Sequence, residues 1–134
     1  MCSSDLAGLP AARALAGLVA AGLVGTLGEV GLLHFRGAFQ HRAMFMPIVV
    51  PPVAALAAAQ LALSRPSVDR RWCRWSMRVT AVLGFVGVAF HARGIARQMG
   101  GWRNWSQNVL SGPPLPAPPS FTALAIAEIG RAHV

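Results

Sequence analysis

Residues 14–34 read ALAGLVAAGLVGTLGEVGLLH, an apolar run that contains a single carboxylate. A helix of about twenty residues rises by about 30 Å, which is the thickness of the hydrocarbon core of a bilayer. The run therefore predicts a transmembrane helix. A cleaved signal peptide is the less favoured interpretation, because the apolar region of a signal peptide is only about 7 to 15 residues long.

Further apolar runs follow along the chain, over residues 44–64, 79–98 and 120–127 onward. The run over 79–98 ends in Arg93 and Arg97, whose long side chains can reach the membrane interface. Ser120 is the expected N-cap of the last helix. The sequence predicts an all-α integral membrane helical bundle of about four transmembrane helices, with the last one truncated.

The two terminal hexapeptides can be encoded by one nucleotide sequence read in opposite directions. Residues 1–6 can be encoded from a GTG start by GTG TGC TCT TCC GAT CTN, and residues 129–134 by ATC GGA AGA GCA CAC GTC. These strings are reverse complements where they overlap, and both match a short-read sequencing adapter. Residues 1–6 and 128–134 are therefore interpreted as adapter translation, which leaves 7–127 as a single membrane domain from a longer gene. Cys73 is then the only native cysteine, so no internal disulfide is expected.

The composition favours a membrane protein over a soluble one. Charged residues make up 12% of the chain and the mean hydropathy is +0.51, whereas soluble domains carry about 25% charged residues. The high sequence pI of about 11.9 does not indicate nucleic-acid binding, because the arginines lie between apolar runs and form no patch on a polar domain. The expected partner is the lipid bilayer, and the arginine-only, alanine-rich composition suggests a GC-rich bacterial genome.

The distribution of arginines predicts the orientation. The loop over residues 65–78 is the densest, with Arg65, Arg70, Arg71, Arg74 and Arg78. By the positive-inside rule this loop is cytoplasmic. We therefore expect a protein of the bacterial inner (cytoplasmic) membrane with a cytoplasmic N-terminus. The other two loops, with most of the polar chemistry, would then lie at the outer face.

Two histidines at the predicted outer face are candidate ligands of haem b. His91 shares a helical face with Gly84 and Gly87, and these glycines could leave room for a haem edge. His34 on the first helix would be the second axial ligand. The simpler interpretation is that each histidine is hydrogen-bonded within the bundle. A copper site that adds His41, Met44 and Met46 to the two histidines is a further alternative, and the sequence assigns no metal site.

Glu29 is the carboxylate inside the first predicted span. It lies on the same helical face as Gly22 and Gly25, so we expect it to point toward another helix. An ionisable residue inside a membrane often marks an ion or proton path. The alternative is a Glu29 side chain that is protonated, or paired near the outer end of the helix.

The last outer loop carries a polar and aromatic stretch that is a candidate docking surface, formed by Trp102, Arg103, Asn104, Trp105, Gln107 and Asn108. Residues 112–119 are proline-rich and predict a rigid, extended connector. The alternative is a tryptophan anchor at the interface followed by a stiff return to the fourth helix.

The sequence therefore favours a membrane subunit or partner-binding protein without catalytic activity of its own. The partner would be a membrane or periplasmic protein that docks on the polar outer surface. No phosphate-binding loop, zinc motif or serine–histidine–acid set is present in the sequence. The alternatives are an electron-transfer subunit that uses His34 and His91 with haem b, and a small transporter or proton path that uses Glu29.

Overall fold

The computed structural model describes residues 10–63 and 70–131. Helices joined by short connections form this part of the chain, and no strand occurs within it, which confirms the predicted all-α class. The helices are α1 (Pro10–Arg36), α2 (Met46–Leu63), α3 (Arg70–Arg97), the short α4 (Trp105–Ser111) and α5 (Ala117–Arg131). Single 3₁₀ turns at Arg42–Phe45 and Gly101–Asn104 precede α2 and α4.

The four longer helices form a ring in which each one packs mainly against two others, and α2 and α5 touch slightly across it. The contacts join α1 to α2, α2 to α3, α3 to α5 and α5 back to α1. The arrangement is that of a four-helix bundle, with α4 lying in the connection between α3 and α5.

Three helices are long and apolar enough to cross a membrane, over Ala11–Arg36, Arg42–Leu63 and Arg71–Arg97. Helix α5 has 15 residues in the described part of the chain. At about 1.5 Å per residue it rises by about 22 Å, which is less than the hydrocarbon core requires. Three candidate spans are therefore present, and the fourth span stays a prediction.

Helix α3 begins well before the predicted start of the third span at Val79. Cys73 and Met77 are buried on the same face as Thr80, and their spacing of four and three residues continues the core-facing pattern of the helix. Trp72 and Arg74 lie exposed on the other side. The prediction of a loop up to residue 78 was wrong because exposed arginines and tryptophans lie between the buried positions and mask their helical spacing.

Helix α5 also begins earlier than predicted. Its first residue is Ala117, whose amide donates to the carbonyl of Pro114 over 3.4 Å. The expected N-cap, Ser120, already lies inside the helix and donates its hydroxyl to the carbonyl of Pro116. Prolines are tolerated in a first helical turn, since the amides there have no intrahelical acceptor. The predicted extended connector therefore ends before Ala117.

The interior of the ring is built mainly from small side chains, and α2 is the clearest case. Every residue that α2 buries is a proline or an alanine: Pro51, Ala54, Ala55, Ala57 and Ala58. Larger side chains come from the other helices, with Leu23, Met77 and Phe121 almost fully buried. Small residues let helix backbones approach closely, which favours packing where water drives association little.

Arg13 joins the beginning of α1 to the end of α2. Its Nε donates to the carbonyl of Ala62 over 2.9 Å and a terminal nitrogen donates to the carbonyl of Leu63 over 3.4 Å. The last carbonyls of a helix lack intrahelical donors and carry the negative end of the helix dipole. The guanidinium therefore caps α2 and fixes the antiparallel α1–α2 pair at this end.

Candidate functional site

His34 and His91 lie beside each other at one end of the bundle, where α1 ends and α3 approaches its last turns. Their ring centres are 6.5 Å apart and the ring planes are inclined by 51°. Both side chains are partly buried. The structure thus brings together the two histidines that the sequence singled out as a pair.

Both histidines use the same ring nitrogen to contact a backbone carbonyl. Nδ1 of His34 lies 2.8 Å from the carbonyl oxygen of Val30, and Nδ1 of His91 lies 2.7 Å from that of Pro114. A carbonyl oxygen can only accept, so Nδ1 carries the proton in each case. In the neutral ring the lone pair is then on Nε2.

Aromatic side chains surround the pair at this end. Phe39 stacks on His34 with 6.5 Å between ring centres, and it stacks on Phe45 with 4.5 Å. Ala38 and Phe39 both have positive φ, 56° and 45°, a strained backbone conformation for residues other than glycine. This left-handed turn brings the chain back so that Phe39 lies against the last turn of α1.

His41 lies at the same end of the bundle, but its neutral ring has the opposite tautomer. It caps the 3₁₀ turn at Arg42–Phe45, and its Nδ1 accepts from the amide of Ala43 over 3.1 Å. An amide N–H can only donate, so the neutral ring of His41 carries its proton on Nε2. Its ring centre is 6.0 Å from that of Phe90. In this tautomer His41 offers no free nitrogen lone pair, which weakens the copper set that includes it.

The glycine face of α3 is filled by α5 and by the connector that precedes it. A methyl group at Gly87 would lie 2.8 Å from Cβ of Pro118, and one at Gly84 would meet the hydroxyl of Thr122. That hydroxyl donates to the carbonyl of Ala81 over 2.9 Å. In this arrangement the glycines let α5 approach α3 closely, and side chains of α5 occupy the space where a haem edge was expected as one alternative.

Glu29 is exposed on the outside of the bundle. A methyl group at Gly25 would meet nothing within 4 Å, whereas one at Gly22 would lie 2.8 Å from Leu124. The expectation that Glu29 points at another helix was therefore wrong. Small and apolar residues surround Glu29 on every side of α1, so the sequence did not show which face of the helix packs inward.

The predicted docking surface divides into exposed and buried residues. Asn108 is buried and donates its side-chain amide to the carbonyls of Met99 and Gly101, over 3.2 and 2.7 Å. It holds the turn between α3 and α4 and was wrongly included in the surface. The remaining predicted residues are all exposed: Trp102, Arg103, Asn104, Trp105 and Gln107.

Arginines dominate the charge at this end of the bundle. Those near the helix ends and in the connections are exposed: Arg36, Arg42, Arg93, Arg97 and Arg103. The nearest acidic residue along α1, Glu29, precedes His34 by more than one helical turn. The end that carries the histidine pair and the tryptophan-containing loop is therefore strongly basic.

Two functional contacts had no clear sequence signal. Pro114 was predicted only as part of a connector, yet its carbonyl accepts from both His91 and Ala117. Thr122, whose hydroxyl on α5 donates to a carbonyl of α3, lies in an apolar run without a distinguishing pattern.

Comparisons of the chain with protein-family models, curated proteins and solved structures find no match. The function is therefore argued from the geometry.

Proposed function

We propose that this chain is an integral subunit of a bacterial inner membrane, with its N-terminus in the cytoplasm. Support comes from the three candidate spans and from the large apolar side chains exposed around them, which include Leu18, Leu32, Val49, Leu56, Val82 and Phe85. A soluble protein rarely exposes so much apolar surface. Trp72 and Trp75, both 62% exposed near the start of α3, fit one membrane interface.

We further propose that the subunit has no catalytic activity of its own and binds a membrane or periplasmic partner at its outer end. The observation that carries this proposal is the exposure of Trp102 and Trp105, 48% and 63%, on a segment held in place by buried Asn108. Tryptophan and arginine are the residues that most often dominate protein interfaces. Arg103, between the two tryptophans, is also exposed.

The chemistry of the partner follows from the charge of this end. The exposed arginines around the loop would repel a basic surface and attract an acidic one, and such complementarity raises both the specificity and the rate of association. We therefore propose a partner that presents carboxylates to Arg103 and aromatic or aliphatic side chains to the tryptophans.

Site-specific photo-crosslinking in intact membranes tests this proposal. A photoreactive phenylalanine derivative in place of Trp105 should give a discrete protein adduct. The matched control is the same probe in place of Trp72, which is 62% exposed at the opposite end of the bundle and should not give that adduct. Arg103→Glu should abolish the adduct, and Arg74→Glu should leave it unchanged. Adducts with lipid alone at Trp105 would contradict partner binding and make the loop a membrane anchor.

A haem-carrying electron-transfer subunit is the second candidate, because His34 and His91 are neighbours. The filled glycine face of α3 reduces its support. A Soret band in the purified protein that disappears in His91→Ala would favour this function over simple partner binding.

A further inference from the structure

The histidine pair has three properties that together describe a small metal site. The ring centres of His34 and His91 are 6.5 Å apart, both Nδ1 atoms donate to backbone carbonyls, and Phe39 and Phe45 lie beside His34. Histidines that ligate a metal usually donate the other ring nitrogen to a carbonyl or carboxylate, which fixes the tautomer and the ring orientation. We propose that Nε2 of His34 and Nε2 of His91 together bind one Cu(I) ion.

The separation of the rings agrees with such an ion. Since a bond from imidazole to a borderline metal is about 2.0 to 2.1 Å long and each ring nitrogen lies about 1 Å from its ring centre, two rings on opposite sides of an ion have centres about 6 Å apart. The observed 6.5 Å is close to this value. Rotation about the metal–nitrogen bonds keeps the distance constant, so the 51° between the ring planes is compatible with binding.

The number and type of donors select the metal. In the described part of the chain, no three of the histidine, cysteine, aspartate and glutamate side chains form a group that could hold a metal ion. Zinc almost always takes four ligands, and divalent ions gain from carboxylates, none of which groups with the two histidines among the described residues. Cu(I) accepts two nitrogen ligands in a line and tolerates an apolar environment, so it fits the site best.

The proposed copper site differs from a haem site in the space that it requires. A haem would need a flat space beside the pair, but Pro118 and Thr122 occupy the glycine face of α3 below His91. A single ion needs only the gap between the two rings. Phe39 and Phe45, stacked beside His34, would shield the ion from water and from dissolved oxidants.

Competition titration of the purified full chain in detergent tests the proposal. The protein is titrated anaerobically with Cu(I), in the presence of ascorbate, against a chromophoric Cu(I) chelator. We expect one Cu(I) per chain. The variants His34→Asn and His91→Asn keep an amide donor near the position of Nδ1, so the bonds to Val30 and Pro114 can persist while Nε2 is lost. Each should weaken binding by about 100-fold or more, beyond the range reported for changes outside the ligand set.

The matched control is His41→Asn, because its side-chain oxygen can still accept from the amide of Ala43 while the ring is removed. Binding should be unchanged in this variant, and thermal unfolding of all three variants reports whether they remain folded. Several outcomes would overturn the proposal: wild-type binding no tighter than in the folded His34→Asn and His91→Asn variants, equal losses in His41→Asn, tighter binding of Zn(II) than of Cu(I), or a Soret band in the purified protein.

Discussion

Asn108 and Gln107 show how two neighbouring amides can have opposite roles. Replacing Asn108 with alanine leaves the carbonyls of Met99 and Gly101 without their donor, and loss of buried hydrogen bonds of this kind costs about 1 to 3 kcal/mol. We therefore expect Asn108→Ala to lower the free energy of unfolding by that amount. The measurement is thermal unfolding in detergent, followed by circular dichroism.

The control for Asn108 is Gln107→Ala, because Gln107 is exposed and surface changes usually stay within about 0.5 kcal/mol. Equal destabilisation by the two substitutions would show that Asn108 does not hold the turn. The sequence predicted both residues to lie on one surface. It could not separate them, since burial of a polar side chain depends on where the returning backbone places its carbonyls.

The histidines also show which features of single side chains the sequence can and cannot predict. Sequence position placed His34, His41 and His91 at one end, and the structure agrees. Their tautomers depend on single contacts with Val30, Ala43 and Pro114, and two of these partners come from connections whose course no sequence pattern specifies.

At the scale of elements, a glycine of α3 that packs closely can be compared with a glycine of α1 that faces open space. Gly84→Ala places a methyl group against Thr122 and the carbonyl of Pro118, and such overpacking typically costs about 1 to 3 kcal/mol. Gly28→Ala meets nothing within 4 Å and should gain up to about 1 kcal/mol from helix propensity. Unfolding of both variants, measured under the same conditions, should therefore shift in opposite directions. A stable Gly84→Ala protein would mean that α5 does not approach α3 as closely as described.

The elements themselves were partly predictable. The uniform apolar runs gave the first two helices, because nearly every position there is apolar or small. The start of α3 was missed since Trp72 and Arg74 interrupt the hydropathy around buried Cys73. The sequence does not predict the start of α5, because a run of prolines favours an extended connector, yet Pro118 and Pro119 occupy the first turn of the helix.

At the scale of the whole molecule, the orientation in the membrane is the main prediction. In a background with Cys2 replaced by serine, Ser106→Cys lies on the exposed α4 segment and Trp72→Cys near the start of α3. A membrane-impermeant maleimide should label Ser106→Cys in intact cells and Trp72→Cys only after permeabilisation. The background protein is the control, since its Cys73 is buried. The reverse labelling pattern would invert the orientation and place the histidine pair in the cytoplasm.

The all-α class followed from the long apolar runs, since apolar segments of this length have few alternatives to a helix. The sequence did not predict that the four longer helices close into a ring. The contacts between α1 and α5 join helices that are far apart in the sequence. The pattern of apolar residues within a helix does not specify which other helix its face will contact. Because small and apolar residues lie on every side of the middle of α1, only the three-dimensional arrangement shows that Leu23 faces inward and Glu29 outward.

The alanine face of α2 has a consequence for the order in which the molecule assembles. Alanine has no rotamer freedom to lose on burial, so the buried alanines of α2 lose no side-chain entropy when α2 docks. Helices α1 and α2 are also joined by a short connection, which keeps the entropy of closing the pair low. We therefore expect the α1–α2 hairpin to form first as the chain enters the bilayer, and α3 and α5 to complete the ring around an already rigid template.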